Sequence, residues 1–364
     1  TNDRRQRQMC IRDRYKNMKI LLSAAKTGGH IYPAISVGSE LIKDGHEVVF
    51  LGSGAEIELN ALKDKNFSYY KIPMAGFRGK NLFQKLKSMI LIPASIFKTI
   101  LLIKKEGIDG MIGFGGYITV PSALSFFLVR KPIFTHEQNA ILGTANKLIS
   151  KISKINFLAF PMEMDVPNGF LSGNPIREGF KKKLETQKFD QDTINIYVTG
   201  GSQGAKYINE QVPECFSNIN KKIKIKHQCG KNNSSYVHGL YKNATIDVEV
   251  NDFYEDPESQ IEWADFVVTR AGALSISEIS SMGKGMVMIP LPTSIDNHQF
   301  FNAKHIEEIK MGVIHLEKDG INDLIEKMSE IINQKIYNDW KNGSSLDNSN
   351  AASLISSKVI EHLT

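Results

Sequence analysis

From Met18 onward, short apolar runs alternate with helical segments. KILLSA (19–24) is nearly all apolar, as a buried strand requires, and Ile31–Lys43 then reads as a helix. EVVFL (47–51) predicts the next strand, and Tyr69–Ile72, Gly110–Ile112, Pro132–Thr135 and Ile155–Leu158 predict more, with helical segments between them. Short apolar strands separated by helices predict a parallel sheet covered on both faces.

The alternation breaks at GNPIREGFKKKLETQKFDQDT (173–193), which is polar and charged. A second series follows, with strands expected at 194–199, 222–228, 245–250, 265–269, 285–290 and 312–316. Helices are expected at Ala205–Phe216, Ser275–Met282 and Asn297–Ile309, and a final one at Asn348–Leu363. Each series opens on a strand leading into Thr-Gly-Gly, at Thr27-Gly28-Gly29 and Thr199-Gly200-Gly201. The expected fold class is therefore α/β, with two Rossmann-like domains whose parallel sheets face each other across a cleft. The expected divisions are a leader (1–17), a first domain (18–173), a linker region (174–193), a second domain (194–343) and a C-terminal segment (344–364) packing back on the first domain.

Composition narrows the class. With 364 residues, 41% hydrophobic and 23% charged, the chain is long enough for about two ordinary domains and is not a disordered chain. Three cysteines without a CxxC imply neither a disulfide framework nor a cysteine-based zinc site, and fit a reducing cytoplasm. The net charge of +6 points weakly at nucleic acid, because residues 1–17 carry six basic and two acidic residues, +4 of that total. That leader lacks the apolar core of a signal peptide. It reads as a disordered tail or a non-native segment, with Met18 as the natural start and a nucleic-acid-binding arm as the alternative. The most apolar stretch, Ser88–Ile103, is shorter than the roughly 20 residues a span needs and contains Pro93 and Lys98.

Chemistry concentrates in loops after strands. TGGSQGA (199–205) is a glycine-rich strand-to-helix turn suited to a diphosphate, with backbone N–H groups and the Ser202 hydroxyl as donors, or else a ligand-free turn. It matches neither the P-loop nor the dinucleotide fingerprint, which argues against an NTPase and a dehydrogenase. TRAGALSISEI (269–279) starts another helix, where Glu278 either receives ribose hydroxyls or stabilises the helix dipole. PLPTSIDNHQFFNA (290–303) crowds Asp296, Asn297, His298, Gln299 and Asn302 together, a set suited to a sugar. In the first half, KTGGHIYPA (26–34) puts His30 at a turn, as a general base or as a structural histidine. GFGGY (113–117) and THEQNAILGTANK (135–147) add loops, with Glu137 and Asn139 as polar groups at a strand end. No metal is expected, since no HExxH-type pairing occurs. Gly76–Lys105 mixes seven basic residues with apolar ones and no acid before Glu106, which suits either a membrane interface or a core-facing helix.

These motifs, with SGNPIR (172–177), stand in the order of the MurG family, and the resemblance covers nearly all of 18–364. That family comprises N-acetylglucosaminyltransferases that convert lipid I to lipid II in peptidoglycan synthesis. The resemblance implies a GT-B fold and an inverting transfer of GlcNAc from UDP-GlcNAc to the muramyl 4-hydroxyl, with no cofactor or metal. It also implies residence on the cytoplasmic face of the bacterial inner membrane, against an anionic surface and beside other cell-wall synthesis proteins.

By motif, His30 would be the base. Thr27, Gly28, Gly29 and Asn139 would contact the donor sugar, and Arg177 and Ser202 the diphosphate. Tyr254 would lie beside uracil, where the family usually has an aliphatic residue. Ala273, Leu274, Ser275, Ile276, Ser277 and Glu278 would cradle the nucleotide, with Glu278 on the ribose, while Gln299 and Asn302 would read GlcNAc hydroxyls. Lys26, Tyr117, Arg78, Lys80, Phe83 and Lys85 would serve the acceptor or the membrane. Ala24-Ala25-Lys26 replaces a more glycine-rich loop, so methyl groups are expected to narrow the approach to the lipid pyrophosphate. The alternatives are another UDP-sugar enzyme of the same fold, such as a UDP-GlcNAc 2-epimerase or a glycolipid synthase, or a non-catalytic nucleotide-sugar-binding membrane scaffold.

Overall fold

The computed structural model describes residues 17–25, 27–72, 82–181, 193–216, 219, 221–242, 246–340 and 348–363, and of 82–90 the backbone alone. Lys26, Arg78, Lys80, the side chains of Phe83 and Lys85, most of the leader and 182–192 of the linker region lie outside the described residues. The chain forms two compact units. One comprises 1–138, 142–175 and 350–364; the other comprises 139–141 and 176–349.

The first unit is a βα alternation. It runs β1 (Lys19–Ser23), α1 (Gly28–Lys43), β2 (Glu47–Gly52), α2 (Glu56–Leu62), β3 (Ser68–Lys71), α3 (Leu82–Glu106) and β4 (Gly110–Gly113). Then come α4 (Thr119–Leu128), β5 (Ile133–Glu137), α5 (Thr144–Ile149), β6 (Ile155–Leu158) and β7 (Gly169–Leu171). All pairings are parallel, in the order β3-β2-β1-β4-β5-β6-β7. Successive strand residues point to opposite faces. Ile20 and Leu22 pack with Phe50, Phe114 and Phe134 on one side, whereas Leu21 packs with Val49, Met111 and Ile133 on the other. α1 buries Ile31, Ala34, Ile35, Val37 and Leu41, a helical repeat laid against the first of those sides. The final helix (Ala351–Leu363) adds Ile355, Val359 and Ile360 to the same cluster. β7 has no counterpart in the strand pattern read from the sequence; its three residues are too few to show a period.

The second unit repeats the scheme. It runs β8 (Thr193–Thr199), α6 (Lys206–Gln211), β9 (Lys222–Gln228), α7 (Ser234–Leu240), β10 (Asp247–Asn251), α8 (Pro257–Trp263) and β11 (Phe266–Thr269). It continues with α9 (Ala273–Ser281), β12 (Gly285–Met288), α10 (His298–Glu308), β13 (Gly312–Ile314), α11 (Gly320–Gln334) and α12 (Tyr337–Trp340). The order is β10-β9-β8-β11-β12-β13, again all parallel. One correction concerns Ala205–Phe216, expected as a single helix. α6 holds six residues and passes into a 3₁₀ turn at Pro213–Phe216, because proline lacks the N–H that a continuing helix needs.

Each unit buries a neutral histidine. His136 donates from Nε2 to the Gly173 carbonyl at 3.1 Å, and burial lowers its pKa to about 4. His227 donates to Asn209 Oδ1 at 3.1 Å and accepts from the Tyr241 hydroxyl at 2.9 Å, and burial lowers it to about 3.

Candidate active site

In open α/β sheets, ligands bind beyond the carboxyl ends of the strands, where strand order reverses. The first unit reverses between β1 and β4, so its crevice is flanked by the loops carrying His30 and GFGGY. The second reverses between β8 and β11, flanked by TGGSQGA and RAGALS. The glycine-rich motifs therefore stand at both reversal points.

His30 lies in the first turn of α1. Its Nδ1 is 3.1 Å from the Ala25 carbonyl oxygen and 3.3 Å from Thr27 Oγ1. A carbonyl only accepts, so Nδ1 carries the proton and Nε2 holds the lone pair, the form a general base needs. Gly115 reaches φ +96, and a Cβ there would lie 3.1 Å from His30 Nε2, so glycine lets this loop approach the imidazole. The Thr119 hydroxyl pins the loop through Gly115 O at 2.6 Å, and Tyr117, the last residue of the motif, packs half-buried against the core. Ala24 and Ala25 are fully buried, one in each core cluster. Their methyl groups therefore face the core, which corrects the expectation that they narrow a ligand's approach. Glu137 is also turned inward: it accepts from Gly143 N and Asn146 Nδ2, both at 2.8 Å, and so shapes its own loop.

In the second unit, Ser202 is exposed at the tip of TGGSQGA. Gly204 takes φ +73, and a Cβ there would collide with the Cys229 carbonyl, so only glycine closes this turn. Gln228 braces the loop, donating to Gly201 O at 3.0 Å, and its Oε1 accepts from Tyr254 N at 3.1 Å. Tyr254 is buried edge-on to Tyr197 at 6.0 Å and donates to Glu249 at 3.0 Å. Burial pushes its phenol well up.

α9 follows its cap residue Gly272 and buries Ala273, Leu274, Ile276, Ser277 and Glu278, leaving Ser275 exposed at its first turn. Arg177 grips the Glu278 carboxylate with two parallel bonds, Nε at 2.7 Å and Nη2 at 2.9 Å, and lies 4.3 Å over the Phe180 ring. Burial raises the pKa of Glu278, and the guanidinium opposes that rise. The residues expected on diphosphate and ribose thus hold each other. Gln299 accepts from Leu291 N at 2.9 Å. Asn302 is fully buried, donating to Asn139 Oδ1 at 3.2 Å and Ala271 O at 3.1 Å and accepting from Ala140 N at 2.8 Å. Its amide therefore fixes backbone around the loops. Gln228 and Arg270 escaped the sequence reading. Arg270 donates to Ile289 O at 3.0 Å, joining two strand ends, and its place beside AGALSISE was the available signal; Gln228 offered none.

Known proteins match this arrangement. The profile of the glycosyltransferase family 28 N-terminal domain fits residues 20–156, and that of its C-terminal domain fits 195–356. Together they define a two-domain, GT-B-type glycosyltransferase. The chain belongs to the family of UDP-N-acetylglucosamine–N-acetylmuramyl-(pentapeptide) pyrophosphoryl-undecaprenol N-acetylglucosamine transferases. The member from Vesicomyosocius okutanii is 35% identical over 316 residues, 87% of this chain and 89% of its own. The Acinetobacter baumannii member is 33% identical over 303 residues, 81% and 83% respectively. The crystal structure of Acinetobacter baumannii MurG superposes with a TM-score of 0.81 at 28% identity, over 95% of this chain and all of that one. A UDP-GlcNAc 2-epimerase from Neisseria meningitidis shares the fold, with a TM-score of 0.64 at 14% identity.

Proposed function

We propose that this protein transfers GlcNAc from UDP-GlcNAc to the muramyl 4-hydroxyl of lipid I, yielding lipid II for peptidoglycan. The observation that carries the reading is the imidazole of His30, with its lone pair on Nε2 at the reversal point of the first sheet. In the reaction, Nε2 accepts the proton of the muramyl hydroxyl. The oxygen attacks the anomeric carbon, the bond to UDP breaks, and the configuration inverts. Ser202, Arg177 and the N–H groups of the TGGSQGA loop take up the charge developing on the leaving diphosphate. Glu278 receives the ribose, Tyr254 neighbours uracil, and Gln299 reads the sugar. Asn302 and Asn139 steady that region, and Thr27, Gly28 and Gly29 serve the sugar from the first unit. Purified protein is expected to release UDP from UDP-GlcNAc only when lipid I or a short-chain analogue is present, with a β-(1→4) disaccharide as product. UDP-GlcNAc consumed without acceptor, or no turnover by folded protein, would refute the reading.

The same reading puts the protein on the cytoplasmic face of the inner membrane. Among the described residues no helix is long and apolar enough to cross a membrane. Phe97 and Leu101 on α3, Phe127 and Leu128 on α4 and Leu148 on α5 are nonetheless exposed, with Phe97 at 63% and Leu148 at 64%. Lys98, Lys104, Lys105, Arg130 and Lys131 accompany them in the sequence. Apolar side chains flanked by cations suit an anionic lipid surface. Replacing Phe97, Leu101, Phe127 and Leu128 together by serine is expected to weaken sedimentation with phosphatidylglycerol vesicles by about tenfold or more, since each buried side chain contributes about 1.5–3 kcal/mol at full insertion. Unchanged sedimentation would remove this face from the proposal.

A further inference from the structure

A polar chain in the second unit lies outside the residues assigned above. Tyr207, on α6 just after TGGSQGA, donates its hydroxyl to His315 Nε2 at 2.8 Å. His315 Nδ1 donates to Asp323 Oδ2 at 2.8 Å, and Lys327 Nζ reaches the same oxygen at 2.7 Å. An aspartate with an ammonium against it only accepts, so Nδ1 carries the proton, and in the neutral imidazole Nε2 then accepts from the tyrosine hydroxyl. His315 is fully buried, its backbone N–H bonds Met288 O at 2.9 Å, and its ring stacks on Tyr207 at 5.9 Å. His315, Asp319 and Asp323 are close enough together to suggest a cation site. Both ring nitrogens are already committed and Lys327 supplies the positive charge, so the cluster is better read as a brace.

Its position gives the brace a use. β13, which ends next to His315, is the far edge of the sheet, with β11 and β12 between it and β8. Tyr207 thus ties the segment after β8 across two strands. On the opposite side, Gln228 at the end of β9 holds Gly201 O. α6 is only six residues long and cannot anchor the loop by its own length. On the β9 side α6 is already fixed by Asn209, which donates to Cys229 O at 2.8 Å and accepts from His227 at 3.1 Å; the Tyr207 bond fixes its rotation from the β13 side. We infer that Tyr207, His315 and Asp323 are positioning residues that set the TGGSQGA loop for the donor's diphosphate; this rests on the donor assignment proposed above.

The test is Tyr207→Phe, which keeps the ring and its packing, beside His315→Leu and the double variant. Steady-state kinetics with both substrates varied, and calorimetry with UDP, are the readouts. One net hydrogen bond predicts a rise of about 3–10-fold in the KM for UDP-GlcNAc and the Kd for UDP in Tyr207→Phe. The acceptor KM should stay within about twofold, and kcat at saturating donor should fall by at most about the same 3–10-fold, because the misplaced loop also takes up charge developing on the leaving diphosphate. The double variant should bind UDP no worse than His315→Leu, since the two groups act as one chain. Tyr207→Phe binding UDP like the parent, or losing donor and acceptor equally, overturns the brace while leaving the transferase reading intact. A parent protein that binds no UDP overturns the donor assignment and the brace with it.

Discussion

His30→Ala is expected to lower kcat by about 10²–10⁴-fold, the usual contribution of a positioned general base. UDP affinity should stay nearly unchanged, because the proposed uridine diphosphate contacts belong to the second unit. The reason lies in the orientation of the ring. Ala25 O and Thr27 Oγ1 hold Nδ1, which commits the proton there and leaves the basic lone pair on Nε2. His30→Gln keeps a polar side chain at the turn but has no basic nitrogen, since its amide lone pair is delocalised into the carbonyl, so it should fall nearly as far as alanine. Single-turnover rates with saturating donor measure the chemical step. A His30→Ala enzyme turning over at the parent rate would leave the alcohol without its proposed base.

The second large effect belongs to Arg177→Leu. Glu278 is almost fully buried, and Arg177 bonds both its oxygens. Removing one partner of such a pair strands the other charge, at about 3–5 kcal/mol for a fully buried pair. Arg177 is itself 35% exposed, so solvent screening brings the expected loss down to about 2–3 kcal/mol. The pH dependence has a definite sign. Burial already raises the pKa of Glu278 in the folded protein, and losing the guanidinium raises it further. A carboxyl raised on folding binds its proton more tightly folded than unfolded. Its contribution to stability is therefore most favourable below the ordinary carboxyl range and declines as pH rises through the folded value. Arg177→Leu should thus melt closer to the parent at pH 5 than at pH 8, and Arg177→Leu/Glu278→Leu should regain much of the loss. UDP affinity should drop about 10–100-fold, as for a charge-assisted bond. A variant melting like the parent at pH 8 would show that the pair contributes little to stability.

Several strands and most of the chemistry-bearing loops are legible in the sequence because they are local. Ile155–Leu158 and Lys222–Gln228 form strands over the residues their apolar pattern marks. The Thr-Gly-Gly turns announce themselves because a close backbone approach needs glycine wherever it occurs. Pro213 likewise carried the signal that ended α6, although the apolar residues beyond it suggested a longer helix. What the residues near each motif could not determine is which groups meet. Arg177 and Glu278 are 101 residues apart, and Tyr207 and His315 are 108 apart. The Glu278 read as a ribose ligand is also half of an ion pair, and Ala25, read as an obstacle to a ligand, is core. Hydrophobic period and turn chemistry act over a few residues, so sequence alone determined most of the strands, the glycine turns and the placing of polar groups after them. Strand order, burial and hydrogen-bond partners arise only when distant segments pack, so tertiary structure decided the tautomer of His30, the partner of Arg177 and the brace behind the TGGSQGA loop.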